Sequence, residues 1–245
     1  MRPDRGLAGE ELVGEFEDVQ PGVGHAAQSG RGSQRLAARN GTCFNSPVTT
    51  AAEPESTLAR SQAERRRRVL AATFELAADG GFDAVQMRDV AAAADVALGT
   101  VYRYFSSKER LLLEAMVQQQ SDLRAYIETH PLAEATAADR VMAVLRRSNR
   151  SLRRYPDVTA AMVRAFGSAQ TENADIVRQV TELMTAIITR AVQGTERHAP
   201  TEREVRVARI LMQVWLSSLN GWVCGVDGPD RVDEDLEAAA NLLLP

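Results

Sequence analysis

Lysine is almost absent from this chain. Of 29 basic residues in a total of 245, Lys108 is the only lysine and the rest are arginines. With so much Ala and Val, that bias reads as the coding habit of a GC-rich bacterial genome rather than as a functional choice. Cysteine is scarce as well: Cys43 and Cys224 stand far apart and outside any CxxC spacing. That argues against a disulfide framework or a cysteine metal centre, and fits a reduced intracellular compartment. The three histidines, His25, His130 and His198, lack HxxxH spacing and a paired Cys, so no metal site is expected. No GxSxG, Walker loop or paired dinucleotide glycine pattern occurs. Without a placed acid, base, nucleophile or metal, neither an enzyme nor a cofactor is expected. The start, MRPDRGLAGEELVGEFEDVQPG, lacks a secretory apolar run, and no stretch of about 18 apolar residues appears. The expectation is a soluble, cytoplasmic protein.

What is present is 44% apolar residues in a chain long enough for one large or two smaller domains. Net charge is -4, but the charge is uneven. Residues 1–59 and 111–245 are each net negative, whereas residues 60–110 carry nine basic and seven acidic side chains. A modest positive excess marks that one segment as the place to look for an anionic partner.

Residues 1–58 are rich in Gly, Ala, Ser, Pro and charge and hold no sustained period. Disorder is expected there, because too little apolar surface can be buried to offset the ordering entropy. The segment is read as dispensable, or as lying before a true start near Val48, with a regulatory or DNA-binding arm as the less favoured reading. From about residue 61 the pattern is helical throughout. Expected helices run over 65–81, 87–94, 98–105, 108–129, 137–155, a short one after Pro156, 173–193, 202–224 and 233–244. Ser106 or Ser107 can cap the fourth. The fold class is therefore all-α, nine helices and no sheet.

Two short helices joined by a tight turn, the second carrying Tyr and Arg, make a helix-turn-helix candidate. In LGTVYRYF (98–105), Val101 and Phe105 lie four apart and face inward with Val90 and Leu112. Gly99, Thr100, Tyr102 and Arg103 face out, with Tyr104 at the margin. Gly99 allows close backbone approach and the helix start offers free N–H groups to phosphate. Thr100 and Tyr104 suit phosphate, Tyr102 a thymine methyl, and Arg103 guanine or phosphate. Lys108 at the next helix start can meet the same backbone. The run Arg65-Arg66-Arg67-Arg68 supplies a second positive anchor. Taken singly, such charge runs and Tyr clusters more often form solvated faces or core.

In this order and spacing, FDAVQMRDVAAAADVALGTVYRYFSSKERLL (82–112) resembles the DNA-binding domain of TetR-family transcriptional repressors. The carrying residues are Phe82, Val90-Ala91, the turn before Val96, Gly99 to Tyr102, Tyr104-Phe105, Lys108 and Leu111-Leu112. Two positions depart from the family pattern. Gln86 stands where Thr commonly caps the second helix, which leaves Gln86 for phosphate or a base. Asp95 stands where the turn commonly has Gly, and is expected to adopt the left-handed conformation at some cost. Together with AMVRAF (161–166) and VWLSSLNGW (214–222), the motif is similar to the KstR-type repressors of bacterial cholesterol catabolism, which sense CoA thioesters of sterol-derived acids.

The resemblance implies a disordered extension over 1–60, a three-helix DNA-binding domain over 61–108, and an effector-binding and dimerisation domain over 109–245. It implies a double-stranded operator, a hydrophobic small-molecule effector such as an acyl-CoA, and a homodimer. Met116, Leu123, Met142, Leu145, Leu152, Met162, Phe166, Met184 and Ile188 are placed to line the effector cavity, although any one of them serves equally as packed core. Asn149 interrupts an apolar face and can meet a ligand's polar end, with a solvent-facing or interhelical amide as the alternative. Arg146, Arg147, Arg150, Arg153 and Arg154 can meet CoA phosphates or form a solvated face. Trp215, Leu219 and Trp222 are expected at the dimer interface, with internal core as the alternative. Responses to drugs or fatty acyl-CoA, or a helical lipid-binding protein, remain the rival readings.

Overall fold

The computed structural model describes residues 57–196 and 198–244, and the expected disordered extension falls, apart from its last four residues, outside them. Nine α-helices and one 3-10 turn make up the described residues, with no strand among them. The helices are α1 Thr57–Ala84, α2 Met87–Ala93, α3 Leu98–Tyr104, α4 Lys108–Thr129, α5 Ala137–Arg154, α6 Pro156–Gly167, α7 Ala174–Gln193, α8 Glu202–Val223 and α9 Pro229–Leu243. Helix α1 runs from Thr57 to Ala84 where 65–81 is expected, α9 begins at Pro229, four residues ahead of Asp233, and the other expected ends differ by one residue at most. Pro229 sits at the first helical position, where its fixed φ and missing N–H cost nothing.

Helices α1 to α3 form a small layer on the N-terminal end of α4. Its core contains Val69, Ala77, Val90, Val101, Phe105, Leu111 and Leu112, all essentially inaccessible. The straight part of α1 stops at Gly80-Gly81, where Gly81 takes φ +65° and turns the chain back. Helix α2 closes with a Schellman turn: the N–H of Val96 donates to the carbonyl of Ala91, and that of Asp95 to Ala92. Asp95 holds the left-handed position at φ +51°, as the sequence anticipated. Ser107 is the cap of α4, its side chain accepting from the Arg110 N–H.

The larger layer packs α5, α7, α8 and α9 with the C-terminal half of α4. Leu123, Val141, Leu145, Met184, Ile188, Leu211 and Leu236 are central to its core. Polar groups finish the helix ends. Thr136 caps α5, Thr201 and Glu204 form a capping box at α8, and Arg140 donates to the final carbonyls of α7 at Ala191 and Val192. The two layers are not cut at residue 108. Helix α6 contributes Val158, Ala161, Met162 and Ala165 to the core of α1–α3, and α4 runs through both layers.

Candidate DNA-binding face and effector cavity

The outward face of α2 and α3 is built by exclusion. Val90 and Val101 are consumed by the core, so one turn of each short helix is left to solvent. Gly99, Tyr102 and Arg103 are exposed, Tyr102 by 52%, while Thr100 and Tyr104 are partly covered. Arg103 stands 5.3 Å over the Tyr104 ring, so the guanidinium is carried on an aromatic platform. Gln86 is exposed and makes no cap for α2; its side-chain amide donates to the Asp83 carbonyl at 2.8 Å. Arg88, which the sequence reading passed over, projects from the same short helix with its side chain 85% exposed and only a 3.5 Å contact to Asp89. Its neighbours read as an alanine-rich helix, which hid its direction.

Two of the expected basic residues, Arg66 and Lys108, are drawn into the protein instead. Arg66 donates to Glu114 at 2.6 Å, and its guanidinium lies 6.0 Å from the Phe105 ring. Arg65 is partly covered, and Arg67 meets Glu64 on its own helix. Lys108 donates to the Phe82 carbonyl at 3.3 Å, with its ammonium 4.0 Å over the Phe82 ring. Arg164 covers that ring at 4.3 Å and reaches Asp83 at 3.1 Å. Phe82 is thus held by cations from α4 and α6. In this arrangement Arg66 and Lys108 serve as ties between helices more than as free cations.

A second tie joins α4 to α7. Arg110 grips Asp175 with both terminal nitrogens, at 2.9 and 2.8 Å, and lies 3.7 Å from Glu114. The guanidinium holds the Asp175 carboxyl well below the usual carboxylate range, at about 2, and the Arg110 pKa is raised by the same hydrogen bond.

Between α4, α5, α6, α7 and α8 lies a cavity of about 320 Å³. Helix α4 supplies Met116, Gln119, Gln120 and Leu123; α5 supplies Arg147, Ser148, Ser151 and Leu152. Helix α6 supplies Thr159, Met162, Val163 and Phe166, α7 Met184, and α8 Met212, Trp215, Leu216, Ser217, Leu219 and Asn220. Four methionines among the walls give a lining that adapts to an irregular apolar shape. Of the expected residues, Met116, Leu123, Leu152, Met162, Phe166 and Met184 meet here.

Met142, Leu145 and Ile188 do not line this cavity. They are buried between α5, α7 and their neighbours, because an apolar face can be consumed by helix packing before it reaches the void. Asn149 is also diverted: its amide donates to Asp233, while its oxygen accepts the Trp215 indole N–H at 2.7 Å. That bond turns Trp215 inward. Trp215 and Leu219 are buried in the wall of the cavity, and Trp222 is half-buried against the same core. The outward face of α8 and α9 carries Ile210, Gln213, Ala238 and Leu242, the last 83% exposed. The arginine run is divided. Arg146 pairs with Glu237, Arg153 with Asp230 and Asp233, and Arg147 stacks 3.6 Å over Tyr126 beside the cavity. Arg154 lies 5.6 Å over Tyr155, and Arg150 is exposed.

A helix-turn-helix layer set on a helical domain with an apolar cavity defines a class of ligand-responsive regulator. Residues 69–115 match the family of bacterial regulatory proteins called tetR, and residues 135–243 match the tetracyclin repressor-like C-terminal domain. The chain belongs to the TetR family of bacterial transcriptional regulators, not to an enzyme family. It is 40% identical over 184 residues to the HTH-type transcriptional repressor KstR of Mycobacterium tuberculosis, a match spanning 75% of this chain and 82% of that one. It is 41% identical over 184 residues to the KstR of Rhodococcus jostii, over 75% and 84% of the two chains. The crystal structure of a TetR transcriptional regulator from Rhodococcus sp. RHA1 superposes with a TM-score of 0.68 at 30% identity, covering 75% of this chain and 97% of that one.

Proposed function

We propose that this chain is a cytoplasmic, homodimeric repressor that holds a palindromic operator until a hydrophobic effector enters the cavity. The effector of this reading is an acyl-CoA thioester of a sterol-derived acid, and the controlled genes serve lipid or steroid catabolism. The observation that carries the reading is the division of labour in α4 and α6. Both line the cavity, through Met116, Gln120, Leu123, Met162 and Phe166, and both hold the DNA-facing layer, through Leu111, Leu112, Val158 and Ala161. A ligand that moves either helix moves the layer that carries Tyr102 and Arg103.

In this reading Gly99, Thr100, Tyr102, Arg103 and Tyr104 contact DNA, with Gln86 and Arg88 beside them and Arg65 at the rim. The KstR repressors at 40–41% identity support a repressor of that kind. The Met-rich apolar walls support a bulky hydrophobic effector. The exposed Ile210, Ala238 and Leu242 support pairing of two copies through α8 and α9. Effector and operator affinities are then reciprocally coupled, by about 1–3 kcal/mol. The test is an operator titration with and without a sterol-acid CoA thioester. Weaker operator binding at saturating thioester supports the reading, and unchanged affinity with every acyl-CoA tried defeats it.

A further inference from the structure

We propose that Gln120 reads a hydroxyl group on the effector, so that the ligand carries an alcohol where its apolar body meets α4. The inference rests on the cavity between α4 and α8 being the effector site. Gln120 lines that cavity, is 7% exposed, and its Oε1 meets no donor among the described residues. Two other buried polar side chains near the cavity are already engaged. Thr159 donates to the carbonyls of Leu152 and Tyr155, and Asn149 is held between Asp233 and Trp215.

A buried acceptor without a donor bears its full desolvation cost, and a ligand that supplies the donor recovers it. A ligand presenting only carbon at that point leaves the cost in place, which is the strongest form of discrimination that a largely apolar cavity can have. Among the polar groups that a sterol-derived body carries, the one that can donate is an alcohol. An ammonium would be buried among Met116, Met162 and Met184 without a countercharge, and a ketone has no proton to give. Gln120 also lies twelve residues along α4 from Lys108, about 18 Å from the Phe82 clamp at the rise of a regular helix. A bond formed only in the liganded state is therefore made to the helix that carries the DNA-facing layer.

Three cholanoic acid thioesters of coenzyme A that differ at one ring carbon (hydroxyl, ketone, unsubstituted) test the assignment. Binding is read by the fluorescence of Trp215, which lines the same cavity. The hydroxylated probe should bind the full-length dimer at least about tenfold more tightly than the unsubstituted one. Gln120→Met, which keeps length and removes the polar end, should abolish that preference. Equal affinities in the unmodified protein, a ketone as tight as the alcohol, or a preference that survives Gln120→Met would overturn the proposal. If Gln120→Met does not fold, the comparison in the unmodified protein decides alone. If none of the probes binds, it is the effector reading that fails, and the inference falls with it.

Discussion

Tyr102 and Arg103 are exposed side chains of α3, Arg103 resting only on the neighbouring Tyr104 ring, and the core is complete without them. Tyr102→Ala or Arg103→Ala should lower operator affinity by about 1–3 kcal/mol, read by fluorescence anisotropy, while thermal unfolding stays close to the parent. A Lys108 or Arg66 substitution should instead lower both, because each of those cations is bonded within the protein. Asn149 is the most committed polar residue inside. Asn149→Ala strands the buried Trp215 N–H and should lower stability by about 1–3 kcal/mol in denaturant unfolding. A loss of effector binding at unchanged stability would contradict that assignment. Asp95 tolerates φ +51° because a short polar side chain can, so Asp95→Val should destabilise by about 1–2 kcal/mol and Asp95→Gly should not.

At the scale of helices, the ties around α4 set how the DNA-facing layer is held. Asp175 is the acidic end of one tie, and its pKa is depressed in the folded state. Its contribution is therefore complete above the ordinary value of about 3.9 and disappears as pH falls from there toward about 2. Asp175→Asn should lower stability at neutral pH, where the contribution is complete, and remove part of the acid sensitivity of unfolding between about 3.9 and 2; an unaltered acid profile would show that the tie contributes nothing. Phe82→Leu removes the ring that Lys108 and Arg164 share. It should cost about 1 kcal/mol of stability and reduce the shift in operator affinity that effector causes. Much of this scale was legible beforehand. Gly80-Gly81, Ser107 and Pro156 punctuate the chain by local chemistry, and the inward set Val90, Val101, Phe105 and Leu112 follows from helical period alone. What escaped was decided between helices. Gln120 sits in a Gln-Gln-Gln run that reads as a wet surface, yet it is buried in the wall of the cavity. Trp215 reads equally as interface or core, and only the distant Asn149 settles which.

Among the described residues one face of α8 and α9, with Ile210, Ala238 and Leu242, stays exposed, and in the proposed function a second copy covers it. Leu242→Asp should shift the sedimentation of the protein from dimer to monomer and weaken operator binding, since two recognition helices then no longer bind as one unit. The central claim is that DNA and a hydrophobic effector compete for one conformational equilibrium of this fold. The most direct test mixes the purified protein with sheared genomic DNA at near-physiological salt, sequences what is retained, and repeats the selection with a sterol-acid CoA thioester present. The expected result is a recovered palindrome beside lipid- or steroid-catabolism genes that is lost when the thioester is added. A folded, dimeric protein that enriches no sequence, or one whose palindrome persists at saturating thioester, would contradict it.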